Sequence, residues 1–224
     1  AFRQQTRSMG VQCVWNCPSK DEVGPERKGP RSDFWLLYHG SVVPARLPLT
    51  VLDALAMLPE SVKLRVLGYE TTGHKGYMDR LKARARELGI EDRVACIGSV
   101  PTRAELLDWC RRSDVGLALM PLSSRDPNEQ TMAGASNKAF DYMACGLPVI
   151  VTDMEPWTSL FVQPGYGFGC RPESAQTIAS AIQRLLFDSE LTRRMGEAGR
   201  RRIAEEWNYE TLFRPVLRVL TGSA

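Results

Sequence analysis

Ser136 to Asp153 reads "SNKAFDYMACGLPVIVTD", and this one run holds a helix, its stop and a strand. Phe140, Met143, Ala144 and Leu147 follow the i, i+3, i+4, i+7 spacing that places apolar side chains on one buried helical stripe. Ser136 is the expected N-cap, Gly146 the expected left-handed residue after the helix, and Pro148 forbids its continuation. The β-branched run "VIV" that follows then reads as a buried parallel strand. The entrance to the helix is polar. Asn137 and Asp141, four residues apart, share a face distinct from the apolar stripe, with Lys138 beside them. The free amides of a helix N-terminus favour an anion there.

Outward from this stretch the same alternation recurs. "FWLLYH", "VKLRVLG", "RVACIG", "DVGLALM" and "PVIVTD" read as strands, with helices in "LTVLDALAML", "KGYMDRLKARARELG", "TRAELLDWCRRS" and the run from Ser136. A short strand "GFGC" and three helical segments, Glu173 to Phe187, Ser189 to Trp207 and Tyr209 to Leu220, complete the chain. Strand-helix alternation at this spacing predicts an α/β fold, a doubly wound parallel sheet with right-handed crossovers and C-terminal helices. Residues 1–33 read as a strand, "VQCVW", followed by a Pro, Gly and charge-rich linker, so the domain proper is expected over residues 34–224. The connection from Pro121 to Ala135 is long for such a fold, and long loops in compact domains tend to be functional or mobile.

Composition narrows the classes. A chain of 224 residues, 43% hydrophobic and 25% charged, is neither disordered nor fibrous. Its formal charge of +3 is scattered except at Arg200 to Arg202, which reads as a solvated helix face, so no nucleic-acid partner is expected. No apolar run reaches membrane-spanning length and no leader pattern is visible, so the expected compartment is cytoplasmic. Six cysteines without paired metal-ligand spacing read as free, mostly buried thiols. No Asp-rich metal cluster and no cofactor motif is evident.

In a doubly wound sheet, ligands sit at the carboxyl ends of the strands. After the first strand comes "GSVVPARLP", where Gly40 permits close backbone approach and Arg46 supplies a permanent cation. Arg46, Lys138 and the amides of the Ser136 helix are therefore candidates to converge on a phosphate. His39 and His74 are isolated and read as satisfied or solvated. The absence of a Ser-His-Asp order, a Walker loop and a GxGxxG removes the usual hydrolase, NTPase and dehydrogenase readings.

"YHGSVVPARLPLTVLDAL", "VKLRVLGYE", "RVACIGSVPTRAELLDWCRRSDVGLALMP" and "NKAFDYMACGLPVIVTD", in that order, resemble the C-terminal, nucleotide-sugar-binding half of the group 1 (family 4) glycosyltransferases of GT-B fold. The resemblance spans roughly Phe34 to Leu220, and "NKAFDYMACGLPVI" is its most specific part. "VQCVWNCPSKDEV" resembles the segment leaving the N-terminal, acceptor-binding domain.

The resemblance implies that Asp141 hydrogen-bonds the nucleotide ribose and that the backbone near Val100 contacts the base. Ser136, Asn137 and Lys138, with the loop from Gly40 and Ser41 to Arg46, would handle the diphosphate. Arg46 and Lys138 would then stabilise the leaving group without a metal. The implied ligand is a UDP-, GDP- or ADP-linked sugar, the implied partner is the chain's own N-terminal acceptor domain, and the implied outcome is transfer with retention. Three positions depart from the family pattern. Ala133 stands where an acid touches the donor sugar, Ser41 replaces an arginine, and Tyr69 occupies a site often glycine. A GT-B-fold nucleotide-sugar epimerase and a non-catalytic nucleotide-binding or partner module stand as alternatives, the latter motivated by Ala133 and Ser41.

Overall fold

The computed structural model describes residues 13–25, 32–123 and 132–221. Along them run β1 (Phe34–Ser41), α1 (Thr50–Ala56), β2 (Val62–Tyr69), α2 (Tyr77–Glu87), β3 (Val94–Gly98), α3 (Arg103–Arg111) and β4 (Val115–Ala118). There follow α4 (Asn137–Ala144), β5 (Val149–Thr152), a π-helical turn (Thr158–Val162), β6 (Gly167–Cys170), α5 (Ala175–Phe187), α6 (Ser189–Glu205) and α7 (Tyr209–Thr221). The six strands form one parallel sheet in the order β3-β2-β1-β4-β5-β6. This is the doubly wound architecture expected from the alternation; among the described residues, the π-helical turn and short 3-10 turns at Lys20–Glu22, Thr72–His74 and Glu91–Arg93 are elements the sequence pattern did not announce.

Sheet order follows from which strands must be buried twice. Leu36, Leu37, Tyr38 and His39 of β1 are all buried, as a central strand covered on both faces requires. Leu36 and Tyr38 join the layer built with α1, α2 and α5, whereas Leu37 joins the layer built with α3, α4 and α6. From β1 the chain winds outward through β2 and β3, then returns to the other side of β1 and winds through β4, β5 and β6. The reversal point lies between β1 and β4, where the connections at the carboxyl ends diverge and leave a crevice.

Three close approaches fix the elements around that crevice. Gly40 and Gly68 are register partners at the carboxyl ends of β1 and β2. A Cβ on Gly68 would stand 1.8 Å from the Gly40 carbonyl oxygen, and Gly40 itself has φ +109°. On the next layer, a Cβ on Gly116 of β4 would stand 2.1 Å from the ring of Tyr142, and one on Gly196 of α6 would stand 2.1 Å from the Gly146 carbonyl. Helix α4 is therefore clamped between the sheet and α6.

That clamp changes the reading of α4. The expected stripe is buried, but so is every residue from Lys138 to Ala144, charged ones included. The helix stops as expected: Gly146 has φ 73°, its N–H donates to the Met143 carbonyl, and the Leu147 N–H donates to the Tyr142 carbonyl. Its start differs. Ser136 occupies the N-cap position, but its hydroxyl makes no capping hydrogen bond; its backbone N–H instead donates to the Met132 carbonyl at 2.7 Å.

The expected strand "VQCVW" is not formed over Cys13 to Trp15, and Val11 and Gln12 lie outside the described residues. Its tryptophan packs on α4 instead. The Trp15 ring packs on Phe140 at 5.9 Å and on Trp207 at 5.3 Å, over Gly134, where a Cβ would stand 2.8 Å from the indole. The Asn16 N–H donates to the Gly134 carbonyl at 3.0 Å, and Cys17 is buried. All six cysteines are free; four are buried, Cys96 is half-buried and Cys13 is exposed. Among the described residues, no helix is long and apolar enough to cross a membrane.

Candidate functional site

The crevice at the β1/β4 reversal receives three sets of residues: the turn after β1, the start of α4, and the connection from β3 into α3. The first two meet directly. A Cβ placed on Gly40 would lie 3.1 Å from both Cε and Nζ of Lys138, so the lysine stem lies against bare backbone. Its ammonium also stands 5.7 Å from the centre of the Tyr38 ring. Lys138 is buried, and burial, with the charge of Arg46 adding to it, lowers its pKa to about 8 against an opposing pull from Asp141. Arg46, half-exposed, is thus close enough for the two cations to repel. Two clustered cations, one of them desolvated, store a preference for an anion.

Ser41 is half-buried, and its carbonyl accepts from the Tyr38 hydroxyl. Ser136 is buried and Asn137 half-buried at the open start of α4, whose first-turn amides carry the positive end of the helix dipole. Val100, half-buried, packs against the α4 layer from the β3–α3 connection. Ala133 is buried, an apolar residue in an apolar environment.

Asp141 lies one turn deeper than Lys138 and is fully buried. Burial raises its pKa to about 6, held from going further by hydrogen bonds and charge from Arg103. The guanidinium of Arg103 donates from Nη2 to Asp141 Oδ1 at 2.7 Å and from Nη1 to Oδ2 at 3.1 Å. With its remaining edge it donates to Glu22, from Nε to Oε1 at 2.6 Å and from Nη2 to Oε2 at 3.0 Å. Burial works to raise the Glu22 carboxyl, but the Arg103 bond and the Ser19 amide outweigh it and hold that carboxyl below the usual range.

The expectation that His39 stands isolated is corrected here. His39 is buried on the α4 face of β1, its Nε2 3.4 Å from Asp141 Oδ2 without forming a hydrogen bond, and its ring edge-on to Tyr142. Burial first, then the charges of Lys138 and Arg103, lower its pKa to about 3, so the imidazole is neutral. Its backbone N–H donates to the Tyr142 hydroxyl, which donates to the Leu117 carbonyl, so α4 is bolted to both strands flanking the reversal.

The site thus unites Gly40, Arg46, Lys138 and the α4 start, and adds Arg103, Glu22 and His39, which the sequence pattern did not single out. Arg103 had a signal: it opens the helix after the third strand, on the same sheet edge as the other candidates. Glu22 had none.

Comparison with known proteins gives this geometry a family. Residues 21–202 match the family described as "Glycosyl transferases group 1". The chain is 31% identical over 140 residues to the N-acetyl-alpha-D-glucosaminyl L-malate synthase of Bacillus anthracis, covering 59% of this chain and 33% of that protein. It is 27% identical over 172 residues to a GDP-mannose-dependent phosphatidylinositol monomannoside mannosyltransferase of Mycobacterium tuberculosis, covering 76% and 44%. The chain therefore spans less than half the length of these relatives. Among solved structures, Anabaena HepE in complex with UDP and glucose superposes with a TM-score of 0.75 at 18% identity, over 93% of this chain and 56% of that one. The C-terminal domain of the group 1 protein LpcC from Francisella tularensis superposes at 0.65 and 18% identity, over 89% of this chain and 99% of that one.

Proposed function

The chain belongs to the group 1 glycosyl transferases, and from that premise we propose that it is the donor-binding half of an enzyme that moves a sugar from a nucleoside diphosphate to an acceptor. The observation that carries this is the meeting of Lys138 with Gly40 beside Arg46 and the open start of α4. As a glycosidic bond to a diphosphate breaks, negative charge grows on the departing phosphate oxygens. Donors and cations fixed there in advance lower the barrier, because they gain more in the transition state than in the ground state.

In this reading Lys138 and Arg46 hold the diphosphate with the backbone of Gly40 and Ser41 and the amides and side chains at Ser136 and Asn137. Asp141 accepts from the ribose hydroxyls, and the backbone at Val100 meets the base. Configuration at the sugar is retained, as the family resemblance implies. The acceptor wall comes from an N-terminal domain reached through the segment at Trp15 to Glu22, in a cytoplasmic protein whose thiols stay reduced.

A melting panel tests it. UDP-glucose, GDP-mannose and ADP-glucose are added to the purified chain, and one of them at about 100 times its dissociation constant stabilises the domain by roughly 2.7 kcal/mol. A flat response to all three, and to the free diphosphates, overturns the reading.

A further inference from the structure

Arg103 lies outside the diphosphate cluster, yet four of its five N–H donors are committed to two carboxylates from distant parts of the chain. One is Asp141, fully buried; the other is Glu22, on the segment that enters the domain. We propose that Arg103 is the positioning residue for ribose recognition: it fixes the Asp141 carboxylate in its ionised, hydroxyl-accepting form, and Glu22 shares and tethers the guanidinium that does so.

This inference rests on the assignment of Asp141 to the ribose. A carboxylate that accepts from both hydroxyls of a vicinal diol must be ionised, and one buried under a helix and a sheet is ionised only if a cation stands against it. Lys138, on Asp141's own helix, makes no ion pair with it within 4 Å among the described residues. Arg103 does, in a planar two-bond geometry that also fixes the side-chain angle. The other groups facing Asp141 do not replace it. His39 of β1 is neutral, Cys110 of α3 and Cys17 of the entering segment are buried thiols with raised pKa values, and Tyr142 is a buried phenol. Glu22 acts in the opposite sense, drawing half of the guanidinium to itself and raising the Asp141 carboxyl.

The sharing gives two substitutions opposite signs. The readout is the affinity of the whole chain for the nucleotide sugar that wins the melting panel, followed by calorimetry from pH 5 to 8; these diphosphates are esterified at both ends and do not titrate in that range. In the unaltered chain affinity falls below about pH 6. Arg103→Met raises that midpoint by a unit or more, which weakens binding at pH 7 about twofold for one unit and about tenfold for two, and lets it recover as pH is raised. Arg103→Lys restores part of the shift. Glu22→Gln lowers the midpoint, because Arg103 then belongs to Asp141 alone. Loss of a merely structural contact would weaken binding without moving a midpoint in either direction.

The Asp141→Asn variant separates the two assignments. If it binds the nucleotide sugar as tightly as the unaltered chain, the ribose assignment fails and this inference with it. If it loses affinity and the acid limb while Arg103→Met and Glu22→Gln leave the midpoint unmoved, the ribose assignment stands and the role of Arg103 is refuted. Should Arg103→Met fail to fold, the downward shift in Glu22→Gln decides alone.

Discussion

The amine of Lys138 lies against the backbone of Gly40, where a Cβ would be 3.1 Å from it. Any side chain at residue 40 both displaces the lysine and adopts a φ of +109° that L residues avoid. Gly40→Ala is expected to cost roughly 1–3 kcal/mol of stability and to weaken nucleotide-sugar binding more than the destabilisation alone explains. Gly73 is the control, because a Cβ added there would meet nothing within 4 Å. Gly73→Ala should stay within about 0.5 kcal/mol and bind normally. Chemical denaturation and calorimetry on the two variants check this.

Lys138 supplies charge at a point where bulk is not tolerated. Lys138→Met should weaken nucleotide sugars by tenfold or more while leaving the corresponding nucleosides nearly unchanged, since only the former carry phosphate. Lys138→Arg should not restore binding, because a guanidinium needs more room than Gly40 leaves. With the charge carried by protein cations, a chelator should leave affinity intact and added salt should reduce it. A chelator that abolishes binding would contradict this.

Binding should depend on pH in a bell. Asp141 has its pKa raised to about 6 and, in the proposed role, must be ionised to accept from the ribose, so affinity is expected to be lost as pH falls through that value. Lys138 has its pKa lowered to about 8 and, in the proposed role, must be protonated to meet the diphosphate, so affinity is expected to be lost as pH rises through that value. The bound anion raises the Lys138 value, so the basic limb lies higher in the complex than in the empty site. A titration of affinity from pH 5 to 9 gives both limbs, and Asp141→Asn should remove the acid one.

Phe140 tests structure apart from binding. Its ring is fully buried, against Trp15 at 5.9 Å, Phe161 at 5.7 Å and Trp207 at 5.8 Å. Phe140→Ala should cost about 3–5 kcal/mol through the cavity it leaves, without ligand present, and should loosen the Trp15 segment with it. Thermal melts and limited proteolysis between residues 13 and 25 report the two effects.

Much of this was legible in the sequence because it is local. The stop of α4 is written in Gly146, Leu147 and Pro148, and the six strands are short apolar runs bounded by turn residues. Gly40, Arg46 and Lys138 could be selected because a doubly wound sheet brings the residues after its strands to one edge. The contacts of Asp141 could not. Helical spacing assigns Asp141 to a polar face, but His39 of β1 and Arg103 of α3 close over that side of α4, and a charge there is then buried. Its partner Arg103 is 38 residues away, and Glu22 is 81 residues from Arg103; neither separation leaves a periodic trace. His39 sits in an apolar strand pattern, and nothing in that pattern tells which layer its ring enters.

The seating of Trp15 over Gly134 has a consequence for anyone building hybrid enzymes from this family. Cutting the chain at the residue where its first strand begins would leave behind the indole that covers Phe140 and the carboxylate that holds Arg103. A graft intended to carry one enzyme's nucleotide preference into another should therefore take the segment from residue 13 onward together with Gly134 and Arg103 as one inherited set. Exchanging the sheet alone would leave Phe140 and Arg103 facing whatever partners the host supplies.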